Sequence, residues 1–390
     1  MSLDFSGYQI VLAFCLIFNI LLIKYSKNFK LSLIFSVLSL SILAFCFNPI
    51  RAWKENGNYT DLCRFFYDLD IIKKNPNFSN EKLLTNYDVI PIVKILIYLV
   101  AKLKVNNFLP FIVSALYYGI FFSVLLHLKN NVKINLNTLR KAGILFLLLS
   151  NFQMLITNIR VPLGCSICTL IFYYDFIKKI KFKKILFMYI LLLGIHPYFI
   201  IILMLRILFY ILNKINNKIL KGIIYSIIVM YGLFISMITN ILSDFSSNTY
   251  IKFILSKMDF YTNGSADQYI DYNSAIVVFS KIISILILIY YINKNIKNDK
   301  IDKRYLDMIN FSKIMAVFAI GSLANMTIFS RTGILLTGIL LYLYIILNNM
   351  LSNKKSNQFI IYIPNAIVYF MTFMQVVLLF LGYQYQILCF

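Results

Sequence analysis

Apolar runs separated by short, lysine-bearing segments recur from one end of the chain to the other. They fall at roughly 8–23, 31–48, 107–127, 142–158, 161–177, 222–241, 273–292, 311–329, 333–347 and 359–381. About 20 apolar residues in a helix cross the hydrocarbon core of a bilayer. The pattern therefore predicts an all-α, polytopic integral membrane helical bundle, with residues 1–390 forming a single membrane domain. Met1 to Tyr8 carries Asp4 and no basic residue, so the first run is expected to stay as an anchor. One run, 185–212, is too long for a comfortable single span and has basic segments at both ends, Lys178–Lys184 and Lys214–Lys221. Proline disfavours helix at the residue before it. The run therefore reads as two short helices, 185–196 and 197–212, turning at His196-Pro197.

Charge then assigns sides, because lysine and arginine in short loops favour the cytoplasm. The loops around Lys24/Lys27/Lys30, Lys129–Lys141, Lys178–Lys184, Lys214–Lys221, Lys294–Arg304 and Lys354/Lys355 are placed inside. Segments 49–87 and 242–272 are left as outer-face loops, and they hold nine of the fifteen acidic residues. The map closes only if 88–104, which carries Pro91 and Lys94, lies in the interface or re-enters instead of crossing. The result is about twelve spans with both termini outside. Arginine breaks the lysine pattern: four of the seven, Arg51, Arg64, Arg160 and Arg331, fall on the outer side.

Composition agrees with the pattern. Of 390 residues, 60% are hydrophobic and 14% charged, and the mean hydropathy is +0.78. A net charge of +23 would suit nucleic acid, but its placement in loops between apolar runs is the membrane-orientation pattern, so no nucleic acid is expected as partner. Cys165-Ser166-Ile167-Cys168 resembles a CxxC motif but lies inside an apolar run, where small packing residues are the simpler reading. No phosphate-binding glycine loop, HExxH or GxSxG pattern is present.

Three local patterns carry candidate chemistry. Arg160-Val161-Pro162, His196-Pro197 and Ser330-Arg331-Thr332 each place a polar side chain where an apolar stretch begins, and all three are expected at helix starts on the outer side. Helix amino ends and arginine both favour phosphate, so Arg160 and Arg331 are candidates to hold a pyrophosphate, with packing arginines as the alternative. Asn151, Gln153, Thr157 and Asn158 form a polar stripe ahead of Arg160, and Asn158 is a candidate substrate contact. The first outer loop mixes Arg51, Trp53, Glu55, Asp61, Arg64 and Tyr67, in which aromatic rings suit either a sugar face or the interfacial belt. Asp61 is a candidate general base; the alternative is a Thr60/Asp61 helix cap before the amphipathic run 62–72. Of the two histidines, His127 reads as structural and His196 as a proton shuttle or phosphate donor. Asp68-Leu69-Asp70 has the D-x-D form used by metal-assisted glycosyltransferases, but such triplets are common in loops, and no metal or cofactor is assigned.

This layout resembles the EpsG family of Wzy-like polysaccharide polymerases over roughly residues 45–205. The likeness rests on Asn58-Tyr59-Thr60-Asp61 with Phe65, on Asn158-Ile159-Arg160 before a basic inner loop, and on Leu193-Gly194-Ile195-His196. The chain departs from the family pattern at Arg160-Val161-Pro162, at Asp88-Val89-Ile90-Pro91, and in having Phe65 in place of a tyrosine. The resemblance implies polymerisation of undecaprenyl-pyrophosphate-linked oligosaccharide repeat units on the outer face of a bacterial inner membrane. The growing chain would pass from its lipid pyrophosphate to a sugar hydroxyl of an incoming unit, with a chain-length regulator and a flippase as partners. Asp61, Arg160, His196 and Arg331 would then be the catalytic set. Two rival readings are a GT-C-type glycosyltransferase using a lipid-phosphate sugar donor at Asp68/Asp70, and a flippase for the lipid-linked unit. Against the flippase, the halves show no internal repeat.

Overall fold

The computed structural model describes residues 5–47, 49–50, 60–74, 87–88, 90–245, 272–296, 303–352 and 358–381. Secondary structure among them is helical, with no strand. In chain order the α-helices are α1 (Phe5–Tyr25), α2 (Phe29–Phe45), α3 (Asp61–Lys74), α4 (Pro91–Lys102), α5 (Phe108–His127), α6 (Leu136–Leu149), α7 (Phe152–Thr157) and α8 (Arg160–Phe172). There follow α9 (Phe182–Leu193), α10 (Phe199–Lys214), α11 (Lys218–Phe245), α12 (Tyr272–Ile296), α13 (Lys303–Gly321), α14 (Met326–Ser352) and α15 (Gln358–Leu381).

Among the described residues four segments are long and apolar enough to cross a membrane: Phe108–Val132, Arg160–Ile177, Ala275–Lys294 and Met326–Met350. Shorter apolar helices accompany them at Ile10–Tyr25, Phe29–Phe45 and Tyr362–Val377. The Arg160 and Met326 segments are each 78% buried, against 56% and 50% for the other two, so α8 and α14 form the centre of the bundle. Around them α5 packs on α2 and α8, α12 packs on α14 and α15, and α9 and α10 form a hairpin beside α8. Large apolar side chains face outward, including Phe14, Phe35, Phe187, Met204 and Phe373. Such a surface suits hydrocarbon and not water, and the protein is a membrane-embedded helical bundle.

Several expected boundaries move, for local reasons. The expected span 142–158 is two helices, α6 and α7. Ser150 donates back to the Phe146 carbonyl (2.6 Å), and the Asn151 side chain accepts from Met154 N (2.9 Å), so the backbone groups at the break are satisfied without continuing the helix. The chain breaks between α13 and α14 at Ser322–Asn325, where Asn325 caps α14 by accepting from Ile328 N (3.0 Å). Ser330-Arg331-Thr332 is therefore not a helix start: Arg331 lies in the second turn of α14. Arg160 is the first residue of α8, and Pro162 falls inside its first turn, where proline costs no hydrogen bond. The turn expected at His196-Pro197 is present between α9 and α10.

The stretch expected as an interfacial or re-entrant helix, 88–104, contains the twelve-residue α4, about 18 Å long and too short to cross. Ile92 N donates to the Gly194 carbonyl (3.0 Å), which ties the first turn of α4 to the α9–α10 turn. With α3 packed on α4 and α7, the short helices and the His196 turn form a cap over one end of the bundle.

Candidate functional site

Charged groups from separate elements converge in that cap. Thr60 begins α3 as its cap, accepting from Cys63 N (3.4 Å), and the next residue, Asp61, projects towards α8. One Asp61 carboxylate oxygen accepts from Arg160 Nη2 at 2.7 Å, across 99 residues of sequence. The other lies 3.3 Å from Arg64 Nη2, one turn along α3. Phe65, fully buried between them, has the Arg64 guanidinium 5.3 Å and the Arg160 guanidinium 5.8 Å from its ring centre. Tyr87 packs against Phe65, ring centres 5.8 Å apart, and donates its hydroxyl to Asp68.

Two close approaches between helices bring the remaining groups in. At Gly164 of α8 any Cβ would overlap the buried Phe199 ring at the start of α10, so glycine lets the His196 turn sit against α8. At Gly338 of α14 a Cβ would overlap Thr169 of α8, so the Arg160 and Arg331 helices pack backbone to side chain. Tyr198 then reaches Thr332, the neighbour of Arg331, at 3.0 Å. Thr332 donates its own proton to the Ile328 carbonyl (2.7 Å), so Tyr198 is the donor in that pair.

Burial and the neighbouring charges shape how these groups titrate. Burial alone would raise the Asp61 carboxyl, but Arg160, Arg64 and, more weakly, Arg331 hold it below its ordinary 3.8. His196, 5% exposed, is pushed well below its ordinary 6.5 by burial and then by the charges of Arg331 and Arg160. Its imidazole is neutral at pH 7. Nδ1 accepts from Tyr198 N (3.0 Å), which leaves the proton on Nε2. In this arrangement His196 offers a donor to an anion and is poorly set up as a base. Burial, reinforced by Asp68, raises the Tyr87 hydroxyl, and burial raises the Asp68 carboxyl despite Tyr87 and Arg64.

Two further observations mark the cluster as more than a closed salt bridge. Arg64 and Arg160 each keep a buried Nε with no hydrogen-bond partner, and a buried unpaired donor costs about 1–3 kcal/mol. In α7, which packs against α3, Gln153 is 2% exposed with neither side-chain amide atom partnered. Both features suit a site that hydrogen-bonds an anionic or polyhydroxyl ligand.

The other expected residues divide. Asn158 is exposed in the link between α7 and α8, two residues before Arg160. Tyr67 leaves its ring 63% exposed, one turn beyond Arg64. Arg51, Trp53 and Glu55 lie outside the described residues, as does most of the loop 242–272. Asp68 and Asp70 are engaged separately, Asp68 by Tyr87 and Asp70 by Asn106 (2.7 Å), and they do not form a pair facing one point. His127 stacks on Tyr173 (5.5 Å), in keeping with a structural role. Tyr87 and Tyr198 were not legible as site residues: each is one of 28 tyrosines, and nothing in its neighbours announces a partner 19 or 134 positions away.

In comparisons with known proteins, no family model, curated protein or solved structure matches this chain. What it does has therefore to be read from the chemistry of this cluster.

Proposed function

We propose that the protein polymerises lipid-linked oligosaccharide repeat units, moving a growing glycan from a polyprenyl diphosphate to a sugar hydroxyl of an incoming unit. On this reading it is a Wzy-like glycosyltransferase of a bacterial cytoplasmic membrane. It crosses the membrane about twelve times, as the apolar runs and loop charges of the sequence suggest, and the arginine cluster faces outward. The observation that carries the proposal is the contact of Asp61 with Arg160 and Arg64 between α3 and α8, beside a turn in which Tyr198 ties His196 to the neighbour of Arg331 on α14.

The chemistry follows from what such a set can stabilise. The acceptor hydroxyl oxygen bonds to the anomeric carbon of the donor glycan while the bond from that carbon to the diphosphate oxygen breaks. Negative charge grows on the departing diphosphate, and preorganised cations and N–H donors lower that barrier most effectively. Arg160, Arg64 and Arg331 supply charge, and His196 supplies a neutral Nε2–H. The hydroxyl proton needs an acceptor. Asp61 is a weak base while two guanidiniums hold it, but a diphosphate competing for those guanidiniums would release the carboxylate and restore its basicity. Ligand binding and base activation become one event.

The glycosyltransferase alternative loses its acidic pair, because Asp68 and Asp70 are engaged separately, by Tyr87 and by Asn106; against the flippase alternative, the sequence shows no internal repeat. In the native host, Arg160→Ala and Arg331→Ala are expected to abolish long glycan while single repeat units still reach the surface. Normal chain length in both variants would overturn the proposal.

A further inference from the structure

Below the arginine cluster lies a cation that the reaction above does not use. Lys281, in α12, is 6% exposed. Its ammonium donates to the Gly333 carbonyl (3.1 Å) and to Thr337 Oγ1 (2.8 Å), both on α14. These acceptors lie two and six residues past Arg331, so the ammonium sits about 3–9 Å further along the same helix. Gly333 makes the contact possible: a Cβ there would overlap Val278 of α12, and its absence lets the two helices approach closely enough for Lys281 to reach the backbone. On α14 the Lys281 contacts at Gly333 and Thr337 fall between Arg331 and Gly338, where α14 packs against Thr169 of α8.

Among the described residues Lys281 has no carboxylate partner. An ammonium inside a membrane bundle is costly, and such residues typically pair or mark a ligand path. A carbonyl and a hydroxyl need only a neutral donor, so the hydrogen bonds alone do not account for a charge. We propose that Lys281 is an additional anion-binding residue of this site, the deep cation that draws a lipid diphosphate towards the interface of α12 with α14. The proposal rests on the diphosphate reading of the arginine cluster and extends it to a fourth helix.

The test uses the full-length protein in nanodiscs, with farnesyl diphosphate as probe, farnesol as uncharged control and inorganic pyrophosphate as lipid-free control. Lys281→Gln keeps an N–H donor and loses the charge; Lys281→Arg keeps the charge. The expected result is about tenfold weaker farnesyl diphosphate binding for Lys281→Gln, with a shallower salt dependence, and near-normal binding for Lys281→Arg. Lys281→Met, apolar and suited to a bundle interior, repeats the measurement should the Gln variant not fold. Equal affinity in wild type and both neutral variants, alongside weakened binding in Arg160→Ala and Arg331→Ala, sinks the Lys281 assignment alone. Weakened binding in the Lys281 variants with unchanged Arg160→Ala and Arg331→Ala upholds Lys281 and removes the arginine clamp. Absence of farnesyl diphosphate binding in the wild type overturns both. Pyrophosphate binding as tight as that of farnesyl diphosphate overturns the lipid as the specific ligand.

Discussion

Asp61→Asn is the most informative single change, because it removes a charge while keeping the shape of the side chain. In the native cluster the Asp61 carboxylate is divided between Arg160 at 2.7 Å and Arg64 at 3.3 Å. At an effective dielectric constant near 20, one such contact is worth about 4 kcal/mol of Coulomb attraction before desolvation is subtracted. The Asp61 and Arg160 side chains are 25% and 19% exposed. The pair therefore falls between exposed ion pairs, worth under about 1 kcal/mol, and buried ones, whose rupture costs about 3–5 kcal/mol. Arg64, 42% exposed, adds little after screening. The expected loss is about 2 kcal/mol for Asp61→Asn, about 2 for Arg160→Gln, and only slightly more for the double variant. Unfolding free energies from detergent titration in bicelles would measure this. Asp61→Asn should also bind farnesyl diphosphate about tenfold more tightly, because the internal competitor for the guanidiniums is gone. Strict additivity of the two substitutions, together with unchanged diphosphate affinity, would falsify the view of Asp61 as the resident counter-ion.

Further outcomes test other parts of the structure. His196 has a folded pKa below its unfolded value of 6.5, so its contribution to stability is complete above pH 6.5 and is lost as pH falls from there through the folded value, at up to about 1.4 kcal/mol per pH unit; His196→Gln should flatten a stability profile recorded from pH 7 to 5. Gly338→Val should cost about 1–3 kcal/mol and shorten the glycan by parting α8 from α14, whereas Gly222→Ala, where added atoms meet nothing, should be silent in both readouts. Tyr87→Phe keeps the ring against Phe65 but leaves the Asp68 carboxylate without its donor, a loss of about 1–3 kcal/mol readable by the same titration. At the far end of the bundle Arg206 donates twice to Asp175, at 2.5 and 2.9 Å, within a ring of Phe176, Phe182 and Phe209; Asp175→Asn should cost about 3 kcal/mol, while the double change Asp175→Leu/Arg206→Met should be close to neutral.

Several features were legible from the chain alone because their causes are local or additive. Apolar transfer free energy sums residue by residue, so the runs at 107–127, 161–177, 273–292 and 333–347 anticipate the four long helices. Proline restricts its own neighbour, so the turn at His196-Pro197 needed no tertiary information. The choice of Arg160 and Arg331 followed from charge in unexpected places; the fold pairs Arg160 with Asp61 and, through Tyr198 and Thr332, brings the His196 turn to the residue beside Arg331. The boundaries were less accessible. Asn325 and Ser330 are both chemically able to cap a helix, and only the packed 3₁₀ turn at Ser322–Ala324 selects Asn325, which moves Arg331 into the second turn. Other decisions were tertiary throughout. Which carboxylate meets Arg160, which tyrosine meets Thr332, and that Lys281 lies under Arg331 depend on helix approaches set by the missing side chains of Gly164, Gly338 and Gly333. A lysine within an apolar run signals that something must meet it, but its partners are chosen by the distance between helix axes, a property of the packed bundle and not of any segment within it.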